Sequence, residues 1–570
     1  MESDLLIKNA MIFNSYFKKF IPGDLAVSDG KFIHVSKNCK CNIKSEKILD
    51  AQGKYIIPGL IDIHLHIESS MTTPVQFAKV VSGCGVTTVV AEPHEITNVF
   101  GLKGIEALLN MKCDGLMDIF YSIPSSVPAA SFKVETSGGK IGPSEVSELL
   151  KNKKIICLGE VMNFKGLVEE NDSDIRRIIR LIKNTDPHFV IEGHCPKIYG
   201  SDLSKYIYEG VDSDHTQQTP ESLQEKISDG MFIEVQEKSM SRENIKYLIE
   251  NNLYENFCFV TDDVMADKIL NGHLDNLVRK SISLGMSPEM AVYVSTYTPA
   301  RRMMMNDRGS IAPGRIADFC IMDDINAFKI NSVYKYGKKI IKDEFKSGNN
   351  KDKYFPEYFY RSIKLAPVSE SDFNVHAPVK NGDVKCRIIY VKPDTTFTEE
   401  KVSRIKVKDG ILLWEDSPCC LIEVFERYGK NGNRAYGLVS GSVIKRGAIA
   451  STYSHDDHNL EVMGRSYKDM AKAADWVIKN QGGYCVVENG EVIAGVKLPV
   501  GGILSEESLF KTGKELKKVR EAMKHLGYRS SNEIMSFSTL CLPVSPALKI
   551  TDKGLIDVKK QEIVNLFLND

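Results

Sequence analysis

The feature that most constrains this chain is an alternation sustained over nearly half its length, in which short apolar, β-branched runs are separated by helical stretches. The runs lie at 55–63, 87–91, 119–122, 155–159, 189–192, 210–213, 232–235 and 257–261. Such a pattern predicts a parallel sheet or a (β/α)8 TIM-like barrel, and about 250 residues is the usual size of that barrel. Chemistry in that fold gathers at the C-terminal ends of the strands. Polar residues stand at those ends here: His64 and His66 after the first run, Glu92 and His94 after the second, and Glu160 after the fourth. His194, His215 and the pair Asp262 and Asp263 follow the fifth, sixth and eighth. Any one of these is an ordinary polar strand end by itself. Their succession on consecutive strands points to a site.

Residues i and i+2 of a strand face the same side, so His64 and His66 offer two imidazole nitrogens to one metal ion. Imidazole suits zinc, iron, manganese or nickel, so this pair alone leaves the metal open, and two rim histidines that bind nothing are the alternative. Together with the later strand ends the donors suffice for two divalent cations. His64, His66 and Asp262 are assigned to one, His194 and His215 to the other, and Glu160 bridges them. Water shared by two cations loses a proton near neutral pH. Asp262 is the natural acceptor of that proton and can return it to a leaving group. Asp263 either orients a ligand or is solvated, and it faces away from Asp262 if the last strand continues that far.

The flanks of the alternating region read differently. Residues 5–50 hold short β-rich pieces broken by turn residues such as Asp29-Gly30, and companion pieces recur at 309–322 and 333–340. These predict one small β-sandwich domain, 1–56 with 306–360, built from both sides of a 57–305 catalytic barrel. Residues 365–570 form a C-terminal α+β domain, with a helix at 468–480. Within it, His455, Asp456, Asp457 and His458 either reach the barrel mouth or bind an extra ion, or serve a solvated or turn-stabilising role, which the turn preference of Asp and Asn favours at least equally. The charged stretch 346–353 reads as an exposed linker.

Charge and composition narrow the function classes. The 74 basic residues nearly cancel the 75 acidic ones, so nothing points to nucleic acid or to an anionic membrane. No apolar run reaches membrane-spanning length, and the acidic opening Met1-Glu2-Ser3-Asp4-Leu5 is no secretory signal. The 13 scattered cysteines suit reduced thiols in the cytoplasm.

The order His-x-His, carboxylate, His, His, Asp, with the flanking segment Gly309-Ser310-Ile311-Ala312-Pro313-Gly314-Arg315-Ile316-Ala317-Asp318, resembles the amidohydrolase superfamily. More narrowly, the chain is similar to bacterial adenine deaminases. The matching stretches are His66-Ile67-Glu68-Ser69-Ser70, Val90-Ala91-Glu92-Pro93-His94-Glu95-Ile96, Gly159-Glu160-Val161-Met162-Asn163, Gly193-His194-Cys195-Pro196, Ser213-Asp214-His215 and Ser454-His455-Asp456-Asp457-His458-Asn459. The resemblance implies hydrolytic deamination of adenine to hypoxanthine and ammonia in purine salvage, using two iron or manganese ions bridged by a glutamate. It implies a catalytic role for His94 and Glu95 beside Asp262 and Glu160, and substrate contacts from Glu68, Ser69, Glu92 and Asp263. Adenine and water are the expected partners of a homo-oligomer, a dimer or larger. Two departures stand out: Thr216 replaces a glutamate, and Val235-Gln236-Glu237-Lys238-Ser239 replaces Ile-Arg-Glu-Gly-Ser. The competing classes are a cyclic-amide hydrolase of the hydantoinase or dihydroorotase kind and a non-catalytic barrel. Ring opening of a hydantoin identifies the first, and lack of bound metal the second.

Overall fold

The computed structural model describes residues 2–36, 43–113, 115–341 and 353–569. Of the stretch read as a linker, 346–352 lies outside these residues. Five parallel strands, β1 (Leu60–Leu65), β2 (Val86–Ala91), β3 (Asp118–Ile123), β4 (Ile155–Val161) and β5 (Val190–Gly193), pair in chain order. Three more, β6 (Ser213–Asp214), β7 (Phe232–Val235) and β8 (Phe257–Phe259), form a second parallel ladder. A parallel bridge between Leu65 and Asp262 joins the segment after β8 back to β1. The result is a curled, (β/α)8-like parallel sheet with flanking domains. β1 and β2 are buried throughout, as the uninterrupted apolar runs require of strands covered on both faces. The intervening helices begin at side-chain caps: Thr73, Ser173, Thr219, Ser241 and Ser287 each accept a first-turn backbone N–H that would otherwise lack a partner. Asp174–Thr185 buries Ile175, Ile178, Ile179 and Ile182, the stripe that helical spacing demands.

The first run is not one strand. Tyr55–Pro58 pairs with Met11 and Ile12 on one side and with Phe319–Met322 on the other, so it belongs to the flanking sheet, and β1 starts only at Leu60. Gly59 sits at the crossing because a side chain there would overlap Thr87. The flanking unit joins Glu2–Asn14, Lys19–Ser28, Lys31–Ser36, Lys44–Asp50 and Tyr55–Pro58 to Phe319–Met322, Ile330–Lys335 and Lys338–Lys339. Its hydrogen bonds run as one eight-stranded ladder in place of two separately bonded sheets. Its apolar face packs Ile7, Leu25, Val27, Phe32, Ile56 and Phe319 together.

The C-terminal part carries a ten-stranded sheet, which includes Gly382–Val391, Cys420–Phe425, Ala448–Ser451 and Leu460–Gly464, and a separate three-stranded one. The expected helix is Tyr467–Lys479. This part docks on the barrel, where Ser505 N donates to Met71 O at 2.9 Å. No helix among the described residues is long and apolar enough to cross a membrane.

One buried carboxyl of this sheet makes stability depend on pH. Glu423 is 1% exposed, neither of its oxygens has a hydrogen-bond partner, and Arg434 stands 3.9 Å away. Burial pushes its pKa up from 4.5 to about 8. A raised folded-state pKa gives stability that is complete below 4.5 and is lost as pH rises through about 8. Glu423→Gln should therefore match the wild type near pH 4.5 and exceed it by about 2–4 kcal/mol at pH 8, measured by urea unfolding at the two pH values. Equal wild-type and variant stability at pH 8 would show that the carboxyl titrates normally.

Candidate active site

The pleat of β1 turns Asp62, His64 and His66 to one side and Ile61, Ile63 and Leu65 to the other. His66 keeps extended backbone angles, so the alternation continues past the strand end. Its Nδ1 lies 3.2 Å from the Glu92 carbonyl, which leaves Nε2 facing inward, 3.5 Å from both Glu160 and Asp262. Fixing one ring nitrogen on a carbonyl in this way presents the other as a metal ligand. The His64 ring stacks on His215 at 4.0 Å, and its Nδ1 is 3.8 Å from the buried Glu234.

Asp262 arrives from the opposite end of the sheet. Asp62 accepts from the Thr261 hydroxyl at 2.6 Å and from its N–H at 3.3 Å, and Asp262 N donates to His64 O at 3.1 Å. With φ at 57°, Asp262 is in the left-handed region, so strand alternation has already ended. Asp263 consequently does not face away, as a continued strand would require. Its carboxylate, that of Asp262 and the His66 ring bring ligand atoms within 4.8 Å of one another. Ser69 Oγ donates to Asp263 Oδ1.

Glu160, near the end of β4, lies at the centre. Its Oε2 is 2.7 Å from His194 Nδ1 and 3.2 Å from His215 Nε2, and its Oε1 is 3.5 Å from His66. His194 Nδ1 and His215 Nε2 are themselves 3.2 Å apart. Burial works against the charged carboxylate, yet His215 and His194 hold Glu160 well below the usual range. Against burial, Asp263 and Asp262 lift His66 to about 10, and Glu160 lifts His215 to about 9. Burial and the neighbouring His215 push His64 down to about 3. His64 Nε2 is buried without a hydrogen-bond partner. Glu160 belongs to two ligand groups, one with His64 and His66 and one with His194 and His215. A shared carboxylate, converging imidazoles and an orphaned ring nitrogen fit a pair of divalent cations.

The β2 end carries Glu92 and then α1 (His94–Phe100). Glu92 accepts from Ser122 Oγ and packs on Gly159, where a side chain would collide with it. His94 Nδ1 is 3.7 Å from Glu92 and 3.6 Å from Glu160. Glu95 is turned to the C-terminal part, where His455 Nδ1 approaches at 2.8 Å and His458 bonds the other oxygen. Glu68 is 1% exposed with both carboxyl oxygens unpartnered, and burial lifts it to about 7.

The solvated reading of 455–458 is overturned, whereas the turn is present and buried, with His458 N donating to Ser454 O at 2.8 Å. His455, Asp456, Asp457 and His458 are all buried, and Tyr453 OH donates to Ser69 at 3.0 Å. Tyr453 was missed in the sequence. Its signal was a dense polar stretch lodged between the apolar strands Ala448–Ser451 and Leu460–Gly464. Both departures from the family pattern support His215. Thr216 Oγ1 donates at 2.8 Å to Asp214, which pairs with buried Lys226 at 2.6 Å, and Gln236 donates to the His215 carbonyl at 2.8 Å.

The chain is similar to known proteins along its whole length. Residues 55–384 match the Amidohydrolase family and 395–562 the Adenine deaminase C-terminal domain. The chain is 56% identical to an adenine deaminase of Clostridium perfringens, covering 100% of both chains. It is 48% identical to adenine deaminase 2 of Shouchella clausii, again over 100% of both. A β-aspartyl dipeptidase structure from Fervidobacterium islandicum superposes with TM-score 0.45 at 20% identity, over 61% of this chain and 99% of that one.

Proposed function

Because this chain belongs to the adenine deaminase family of amidohydrolases, we infer that it hydrolyses adenine to hypoxanthine and ammonia with divalent cations held around Glu160. One observation carries the reading: a single buried carboxylate serves His66 on one side and His194 and His215 on the other. The imidazole and carboxylate donors suit manganese or iron. We read the eight parallel strands as one closed barrel, a reading that the bridge from Leu65 to Asp262 supports. A cytoplasmic setting is supported by the free, buried thiols of Cys157, Cys258 and Cys541.

Bound divalent cations supply the Lewis acidity that makes water nucleophilic at neutral pH. His64, His66, His194, His215, Glu160 and Asp262 would hold them. Asp262, which His66 and His215 keep ionised against burial, takes the proton of the attacking water and delivers it to the exocyclic nitrogen, so that ammonia leaves. His94 presents Nδ1 beside Glu160 and Glu92 and contacts the purine. Glu95, 3.6 Å from His94 Nε2, positions His94. Glu68 has two unpartnered oxygens and accepts a purine N–H. Ser69 and Asp263 bond to each other and, through Ser69, to Tyr453 to shape one wall, and Glu92, held by Ser122, stands beside His94.

Manganese-loaded protein should release ammonia from adenine and leave hydantoin and dihydroorotate unopened; the opposite pattern would replace this reading with a cyclic-amide hydrolase. Glu68→Gln should lower kcat/KM for adenine by up to about 10-fold, chiefly through KM, since an ordinary hydrogen bond contributes about 0.5–1.5 kcal/mol. An unchanged KM would remove Glu68 from the purine site.

A further inference from the structure

Between the barrel and the C-terminal part lies a second cluster, which the proton transfer above does not use. His94, Glu95, His455 and Asp456 are each buried and each offer one ligand atom, all within 4.8 Å of one another. From these four side chains we propose a further divalent-cation site, separate from the cluster around Glu160 and best matched by a four-coordinate ion such as zinc.

The spacing is the first support. Nitrogen and oxygen ligands about 2.0–2.2 Å from a tetrahedral ion lie about 3.3–3.6 Å apart. Glu95 Oε1 is 2.8 Å from His455 Nδ1 and 3.6 Å from His94 Nε2. Asp456 Oδ1 is 3.2 Å from His455 Nδ1 and 4.0 Å from His94 Nε2. These separations bracket the tetrahedral edge, so small side-chain adjustments complete the site.

An unmet ligand atom is the second. Glu95 Oε1, one of the converging atoms, is buried without a hydrogen-bond partner, a state that costs free energy unless a ligand such as a cation meets it. Among the described residues, the ion-pair partners of both carboxylates are histidines. Two buried carboxylates served only by imidazoles are neutralised by one divalent cation, with the imidazoles neutral as ligands. The outer shell is also in place, since His458 bonds the second oxygen of Glu95 and thereby orients the first.

Such an ion ties the start of α1 to the loop of the C-terminal part. His94 would then face the catalytic cluster through Nδ1 and the additional cation through Nε2, so that the C-terminal part sets the position of a substrate-facing imidazole.

The test is a metal count on the full-length protein. Chelator-stripped protein is equilibrated with zinc chloride, desalted and analysed by inductively coupled plasma mass spectrometry. The wild type should retain about three zinc ions per chain, and His455→Ala about two. Asp456→Asn, which keeps the side-chain shape, should lose the same equivalent and guards against misfolding of the first variant. Loss of one equivalent in either folded variant supports the site, whereas equal counts in the wild type and both variants overturn it. His194→Ala should lose zinc from the Glu160 cluster alone, so this site and the deaminase reading fail separately.

Discussion

Asp262→Asn is expected to lower kcat for adenine by about 100- to 10,000-fold with little change in KM, the range typical of losing a positioned general base and acid. The carboxylate is 3.5 Å from His66, and His66 and His215 hold it well below the usual carboxylate range despite burial. It is therefore ionised when water must be deprotonated. The amide keeps the shape and the left-handed backbone, which Asn tolerates, but takes up no proton. Asp263→Asn is the control. Asp263 also faces inward, but its Oδ1 is occupied by Ser69, so a loss within about tenfold is expected, equivalent to a hydrogen bond. Steady-state kinetics on both variants decides the matter, and a larger loss from Asp263→Asn would make Asp263 the proton carrier.

Glu160→Gln should remove metal from the central cluster and reduce kcat/KM on the order of 1,000-fold, as expected when several kcal/mol of metal-dependent stabilisation is lost. The reason is charge. Glu160 is the one carboxylate common to the two ligand groups, and an amide of the same size brings no negative charge to offset two cations. The side chain is about 5% exposed, so solvent cannot make up the deficit. Full metal content with near-normal turnover would mean that Glu160 does not bridge.

The sequence exposed those features whose cause is local. A buried parallel strand must be apolar along its whole length and can turn polar only where it ends, so the order of runs and strand-end residues singles out His64, His66, Glu160, His194, His215 and Asp262, whose donor atoms the fold brings near one another. Helical spacing likewise predicts a helix at 468–480, within one residue of the observed Tyr467–Lys479. Adjacency of the last strand to the first was not local. The bonds from Asp62 to Thr261 and from Asp262 to His64 span some two hundred residues, and they accompany the left-handed turn that brings Asp263 inward. Period-two reasoning fails there because it holds only while the backbone stays extended.

The same distinction explains the other corrections. Tyr55–Pro58 and Leu60–Leu65 read as one apolar run, yet the partners of the first lie in the flanking sheet and those of the second in the barrel. Composition records that both are buried, but not by what. The stretch 455–458 has the local composition of a solvated turn, and only docking against α1, with His458 meeting Glu95 across 363 residues of chain, buries it. Local propensity is set by neighbours in sequence, whereas burial of a polar loop is set by whichever surface folds over it.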